Sequence, residues 1–202
     1  MNIPIFEAVM EGNDTGIFAI SLVEDPATEV VWQTFSKAKE KQTFKFSIDS
    51  EEKHNILAPI MVADMLIYRY DDNFGEYYIK YGKDVLEKMS RKMLKQGMQN
   101  NIDIEHDGNY LNVGDVELME VFIKNSELGI NPKGFEDVNE GSLFGKFHVN
   151  NIEVWEKIKK GEVKGLSLFG FFDVKPQAET NEDIKEIENL LSKIQNKIRN
   201  NK

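Results

Sequence analysis

The chain has 202 residues, the length of one domain of fair size with an appendage. It carries 25 Lys and Arg against 35 Asp and Glu, a formal net charge of −10, which argues against nucleic acid or an anionic membrane surface as the main partner. The absence of cysteine excludes a disulfide scaffold, a cysteine-ligated metal and a thiol nucleophile.

The amino-terminal residues lack the basic start, apolar stretch and small-residue cleavage site of a signal peptide. No run of the sequence approaches the roughly 18 apolar residues that span a membrane. We therefore expect a globular protein of the cytoplasm.

The first half of the chain predicts strands. The apolar run GIFAISLV at residues 16–23 reads as a buried strand that stops at Pro26. Residues 36–53 are highly charged, with an alternating patch at 43–48 that fits either an exposed strand or a mobile arm. IMVADMLIYRY and EYYIKY, separated by the turn-prone DDNFG, predict a hairpin.

The second half alternates helices with strands. Val85, Leu86, Met89, Met93 and Leu94 recur at helical spacing within 84–96, and a glycine follows at position 97. Strands are predicted at 102–107, 113–123 and 141–149. A second helix follows at NNIEVWEKIKKG, and the glycine-interrupted strand VKGLSLFGFFDV comes last.

A tail follows the globular part. After Pro176, isoleucine and leucine residues from Ile184 to Ile198 step by three and four, as in a short heptad seam. Two arrangements remain open, a coiled coil and a helix that docks on its own domain. We predict a domain at 1–175, with a hinge and C-terminal helix at 176–202.

One histidine and one serine are placed where hydrolytic chemistry could occur. His106 ends a polar strand, and Ser167 lies in a strand between Gly165 and Gly170. Glycine lets a substrate backbone approach, and a serine hydroxyl becomes a nucleophile when a histidine takes its proton. Taken singly, the ordinary alternatives are favoured: a solvated histidine near a turn and a small serine filling the core.

Together, the segments from His106 to Ser167 resemble the head-maturation (prohead) serine proteases of tailed bacteriophages, in particular the XkdF-like group, which is related to the herpesvirus assemblin fold. The similar segments are IDIEHD, VELMEVFI, the Pro132-Lys133-Gly134 loop, GSLFGKFHV, EVWEKIKKGEV and KGLSLFG. GIFAISLVEDPA is similar to the family's opening motif, so the resemblance covers about residues 1–175. It implies an α+β fold with a mixed or antiparallel, barrel-like β-core flanked by helices.

The resemblance also implies the site residues. Ser167 matches the nucleophile and His106 the general base. Glu120 is the first choice for the third member of the triad, because the XkdF-like pattern has an acidic residue there. The alternatives for this third member are Asp107, Glu105 and His148. We expect no cofactor and no metal.

The implied function is that of a serine endopeptidase of procapsid maturation. It would cleave after Glu, in sequences such as Ile/Leu-x-Glu, within the phage scaffold protein, the major capsid protein and itself. It would act inside the procapsid in the host bacterial cytoplasm, without a nucleic-acid or membrane partner, and a homo-oligomer is left open. Ile184-Lys185-Glu186 fits the cleavage pattern, which makes the tail a candidate cleavable tether. The alternative is a catalytically inactive, scaffold-associated capsid assembly protein that binds partners through its C-terminal helix.

Overall fold

The computed structural model describes residues 3–24, 47–50, 53–72 and 75–177. The predicted tail helix, its Glu186 site and most of the charged segment 36–53 lie outside these residues. Pro176 is the last residue of a strand that pairs with Phe6, and the Gln177 amide donates to the Ile5 carbonyl. Strand pairing therefore continues to the point where the hinge is predicted.

The described residues form an α+β structure with many strands and two α-helices. The strands are β1 (Ile5–Val9), β2 (Gly16–Val23), β3 (Ser47–Ser50), β4 (Asn55–Met61), β5 (Ile67–Asp71), β6 (Gly75–Lys80), β7 (Ile102–Ile104), β8 (Val116–Ile123), β9 (Leu143–Val149), β10 (Gly165–Phe171) and β11 (Asp173–Pro176). The helices are α1 (Lys83–Gln96) and α2 (Ile152–Lys160). Within the described residues, neither helix is long and apolar enough to cross a membrane.

The described strands pair in three open sheets. Their orders are β11-β1-β6-β5, β10-β2-β7 and β3-β4-β9-β8, and the pairing mixes parallel with antiparallel neighbours. The predicted α+β class with a mixed β-core is confirmed, whereas these ladders do not close into a barrel. Each sheet ends at an edge. The β4–β9 register shifts beside Pro59, which has no N–H to donate to a ladder.

The predicted strand at residues 16–23 is β2, the central strand of the three-stranded sheet. Only Phe18 within it is partly exposed, because α1 packs against the strand while β10 and β7 pair with its two edges. A strand covered on both faces reads as a continuous apolar run rather than an alternating one. Polar side chains on β2 are therefore placed inside the protein.

The predicted helical face of α1 is largely correct. Leu86, Met89 and Met93 have no exposed surface, and Gly97 ends the helix in the left-handed conformation. Leu94 was expected on the same face but is 46% exposed. Adjacent helical residues lie about 100° apart, so Leu94 cannot share the direction of Met93.

A buried lysine organises the loop between β8 and β9. The side chain of Lys124 is 1% exposed, and its ammonium donates to the carbonyls of Phe135, Glu136 and Val138 at 3.1, 2.7 and 2.6 Å. The Glu140 carboxylate lies 3.5 Å from the same nitrogen. An ammonium has three protons to donate, so the three carbonyls can satisfy it fully. The loop is thus folded around one cation.

Candidate active site

Three polar side chains form a row across the three-stranded sheet. Ser167 on β10 is directly opposite Ser21 on β2, and Ser21 is directly opposite Asp103 on β7. Residues directly opposite each other on neighbouring strands project to the same face of a sheet, and the strands are about 4.8 Å apart. All three are buried, with 5%, 0% and 3% of their surface exposed. The fold therefore gathers two hydroxyls and a carboxylate at one place inside the protein.

His106 reaches this row from the turn that follows β7. Glu105 and His106 both have φ near +55°, and the Asp107 amide donates to the Ile104 carbonyl at 3.2 Å, as in a type I′ turn. Left-handed backbone at two successive non-glycine residues is strained and tends to occur at functional sites. The sequence predicted a strand through Asp107, but the strand ends at Ile104, because this turn redirects the chain.

The turn is fixed by hydrogen bonds on both sides. The Glu105 amide donates to the Leu22 carbonyl at 3.0 Å, and the Glu105 carboxylate accepts from the Glu24 amide. On the other side, the Gly108 amide donates to Asp103 Oδ2 at 3.2 Å. These bonds offset the strain and hold the imidazole over β2.

The closest polar contact of the histidine is with Ser21. The Ser21 hydroxyl oxygen and His106 Nδ1 are 2.7 Å apart. In the described part of the chain, His106 makes no hydrogen bond to Ser167, which lies one strand further along the row. The structure therefore brings both predicted residues to one site and adds a second serine between them. Sequence reasoning missed Ser21, because only the pairing of β2 with β10 and β7 places it there.

The surroundings of Ser167 differ from those of Ser21 in ways that matter for a nucleophile. Ser167 retains some exposure on an outer strand of its sheet, whereas Ser21 is fully covered on the central strand. Further along β10, an added Cβ at Gly170 would lie 2.3 Å from the Gly16 carbonyl oxygen. Glycine is therefore required there for the close approach of β10 to β2, which also sets the position of Ser167.

Glu120, the predicted third member of the triad, lies on β8 in the four-stranded sheet. Its carboxylate is 3.7 Å from the Lys146 ammonium, and its side chain is 57% exposed. In the described residues, the Nδ1 atom of His106 is in contact with Ser21 instead. The role of Glu120 in the triad stays a prediction that a variant must test.

The alternatives for the third member have partners elsewhere. Asp107 accepts from the Asn109 amide at 2.8 Å, and Glu105 accepts from the Glu24 amide. The imidazole of His148 contacts the Asn55 side chain at 3.0 Å. None of these three contacts involves His106, Ser167 or Ser21.

Asp103 is a carboxylate that sequence reasoning did not single out. Its Oδ2 accepts from Gly108, whereas its Oδ1 is buried and, among the described residues, has no hydrogen-bond partner. Buried polar atoms are nearly always paired, so an unpaired carboxylate oxygen beside a histidine and two serines requires an explanation. The only hint of Asp103 in the sequence was its position in IDIEHD, three residues before His106.

Metal binding and surface cavities are questions separate from the row of polar side chains. Within the described residues, no group of three or more histidine and acidic side chains could hold a metal ion. A surface cavity of about 600 Å³ is lined by the loop between β1 and β2 and by basic side chains of α1, and its lining includes none of the candidate catalytic residues.

A serine hydroxyl beside a histidine ring nitrogen, with a second serine on the neighbouring strand, brings together the two kinds of side chain that serine nucleophile chemistry uses. The family model that matches residues 65–175 is described as "Putative phage serine protease XkdF". The match spans more than half of the chain, which therefore belongs to this family of phage serine proteases. The family assignment made from the motifs is confirmed, over a shorter span than the 1–175 expected. His106 and Ser167 lie within the match and Ser21 lies outside it. No curated protein and no solved structure matches the chain significantly.

Proposed function

We propose that this chain is a serine endopeptidase that processes scaffold and capsid proteins, and itself, during phage procapsid maturation. The observation that carries the proposal is the contact between His106 and a serine in the row that also contains Ser167. Membership of a phage serine protease family supports it. The assemblin-like fold and the location inside the procapsid belong to the same proposal and follow from the family resemblance.

Ser167 is the proposed nucleophile and His106 the proposed base. Ser167 is the more exposed of the two serines, and it lies within the residues that match the family, as does His106. A nucleophile must meet a substrate carbonyl, which a fully covered hydroxyl cannot do. The contact of Nδ1 with Ser21 also leaves Nε2, the other ring nitrogen, available as the base.

The proposed reaction is acyl transfer in two halves. His106 takes the Ser167 proton as the hydroxyl oxygen bonds to the peptide carbonyl carbon, and backbone N–H groups hold the resulting oxyanion. The C–N bond then breaks, and the leaving amine takes the proton from His106. In the second half, water gives a proton to His106 and attacks the ester, and Ser167 departs with that proton.

An aromatic surface beside Ser167 supports a substrate with an apolar residue near the cleaved bond. Phe169 lies two residues along the same strand, so its side chain projects to the same face as Ser167, and it is 46% exposed. Its ring is 5.6 Å from that of Phe171, which is 60% exposed. The Ile or Leu of the proposed Ile/Leu-x-Glu motif could pack there. The preference for Glu itself rests on the family resemblance.

The test is co-expression of the chain with the scaffold and capsid proteins of its own phage, followed by mass spectrometry of every new terminus. We expect new termini that follow Glu, including one after Glu186 in the chain itself, and we expect His106→Gln to produce none. Changing the Glu at a mapped substrate site to Gln should block that cut. Termini that follow other residues would refute the Glu preference. Equal trimming by wild type and His106→Gln, or no trimming by either, would refute the endopeptidase and favour the inactive assembly protein.

A further inference from the structure

Ser21 has the chemistry to link two other groups of the site. A serine hydroxyl can accept a hydrogen bond and donate one at the same time. Its oxygen is 2.7 Å from His106 Nδ1, and the side chain is fully buried, so water does not compete for either bond. When Nδ1 carries a proton and donates it to the Ser21 oxygen, the Ser21 hydroxyl proton needs a different acceptor inside the protein.

Asp103 offers that acceptor. It lies directly opposite Ser21 in the parallel pairing of β2 with β7. Its Oδ2 is held by the Gly108 amide, whereas Oδ1 is buried and, in the part of the chain that is described, unpaired. Strands in a ladder are about 4.8 Å apart, so the two side chains are neighbours, and the hydrogen bond requires a rotation of the Asp103 carboxyl group that leaves Ser21 in contact with His106. With the imidazole proton on Nδ1, a hydroxyl donor that needs an acceptor and a carboxylate oxygen that lacks a donor are thus neighbours.

We propose that Ser21 and Asp103 together position His106, with the Nδ1–H of the imidazole donating to Ser21 and the Ser21 hydroxyl donating to Asp103 Oδ1. This inference rests on the proposed function for its catalytic consequence. Ser21 and Asp103 are positioning residues, since neither touches the substrate. They occupy the role for which the family resemblance suggested Glu120.

The arrangement selects the form of histidine that a base requires. An imidazole with its proton on Nδ1 has its lone pair on Nε2, the nitrogen that is to accept the Ser167 proton. When that proton arrives, the imidazolium keeps both N–H bonds, and the buried Asp103 charge stabilises it through the Ser21 hydroxyl. No proton leaves Nδ1 at any step. The strained turn keeps the ring in place while this happens.

The first measurement is kinetic and uses a peptide from a mapped cleavage site. We expect Ser21→Ala to lower kcat about 10- to 100-fold with KM nearly unchanged, because the base loses its orientation but the substrate surface stays intact. Ser21→Thr, which keeps the hydroxyl, should recover most of the loss. Asp103→Asn should lower kcat in the same direction. Ser90→Ala, which removes a buried hydroxyl from α1 outside the site, is the matched control.

The second measurement does not depend on activity. In the Ser167→Ala protein labelled with ¹⁵N-histidine, NMR at about pH 8.5 reports which ring nitrogen of each neutral imidazole carries the proton. The chain has three histidines, so loss of one signal set in His106→Gln assigns the His106 ring. We expect the Nδ1–H tautomer for His106, and a shift toward the Nε2–H tautomer when Ser21→Ala is added.

The outcomes separate this inference from the proposed function. If Ser167→Ala is inactive while Ser21→Ala keeps wild-type kcat and the Nδ1–H tautomer, the positioning role fails and the protease stands. If Glu120→Gln, rather than Ser21→Ala, lowers kcat and changes the tautomer, Glu120 is the orienting group and this inference is wrong. If Ser21→Ala is inactive and Ser167→Ala is active, Ser21 is the nucleophile: the positioning role and the assignment of Ser167 are both wrong, whereas the serine endopeptidase stands. If no peptide is cut but the tautomer shifts as expected, the hydrogen-bond relay stands without the proposed function.

Discussion

Replacing Ser167 with alanine should abolish cleavage of the scaffold partner, with a loss in rate of at least about 10³-fold. The reason is that Ser167 supplies the oxygen that bonds to the substrate, so its removal leaves His106 without a hydroxyl to activate on β10. The fold should survive, because alanine is serine without its hydroxyl group and the hydrogen bonds between β10 and β2 are made by the backbone. The measurement is the fraction of scaffold trimmed over time in co-expression or with purified proteins.

The matched control for this loss is Ser90→Ala, which should trim at the wild-type rate. Circular dichroism and the midpoint of urea unfolding should be alike for the two variants and the wild type. If Ser167→Ala trims the scaffold as fast as Ser90→Ala does, Ser167 is not the nucleophile. If trimming is lost in Ser21→Ala alone, Ser21 on the neighbouring strand β2 is the nucleophile.

Replacing Lys124 with methionine should destabilise the protein by about 3 kcal/mol. Methionine fills a similar volume but cannot donate, so the carbonyls of Phe135, Glu136 and Val138 lose their common partner. Leaving buried acceptors unpaired costs more than the hydrogen bonds themselves contribute. Urea unfolding should show a lower midpoint with an unchanged slope, because the surface exposed on unfolding stays the same.

Lys88→Met is the control, because this lysine is exposed on α1 and its replacement should change stability by less than about 0.5 kcal/mol. A cost below about 1 kcal/mol for Lys124→Met would show that other donors can replace this ammonium.

The carboxylate beside Lys124 also favours its charged form. Hydrogen bonds from the Ser126 hydroxyl and amide hold the pKa of Glu140 below its usual value, and Lys124 acts in the same direction. Glu140 therefore stays ionised in the loop at neutral pH.

The local sequence pattern was sufficient to predict the strands and helices whose apolar residues follow a clear pattern. The apolar run of β2, the helical spacing of Leu86, Met89 and Met93, and the glycine that ends α1 each follow from short-range chemistry. The strand β1 was missed, since its five residues IFEAV carry a weak pattern and pair with β6 and β11 far along the chain. Whether such a segment forms a strand depends on partner strands that are distant in the sequence, and a short stretch of sequence carries no information about them.

For the site, the sequence by itself determined which chemistry was available. Without cysteine, and with three histidines, it pointed to a serine and to His106, and family motifs selected Ser167. Only the tertiary structure decided which groups meet. Strand register put Ser21 between Ser167 and Asp103, the left-handed turn carried His106 to Ser21, and Glu120 was placed beside Lys146 on another sheet. Register and turn geometry depend on contacts between residues far apart in the chain, such as Ser21 and Ser167, which are 146 positions apart, and no local pattern encodes those contacts.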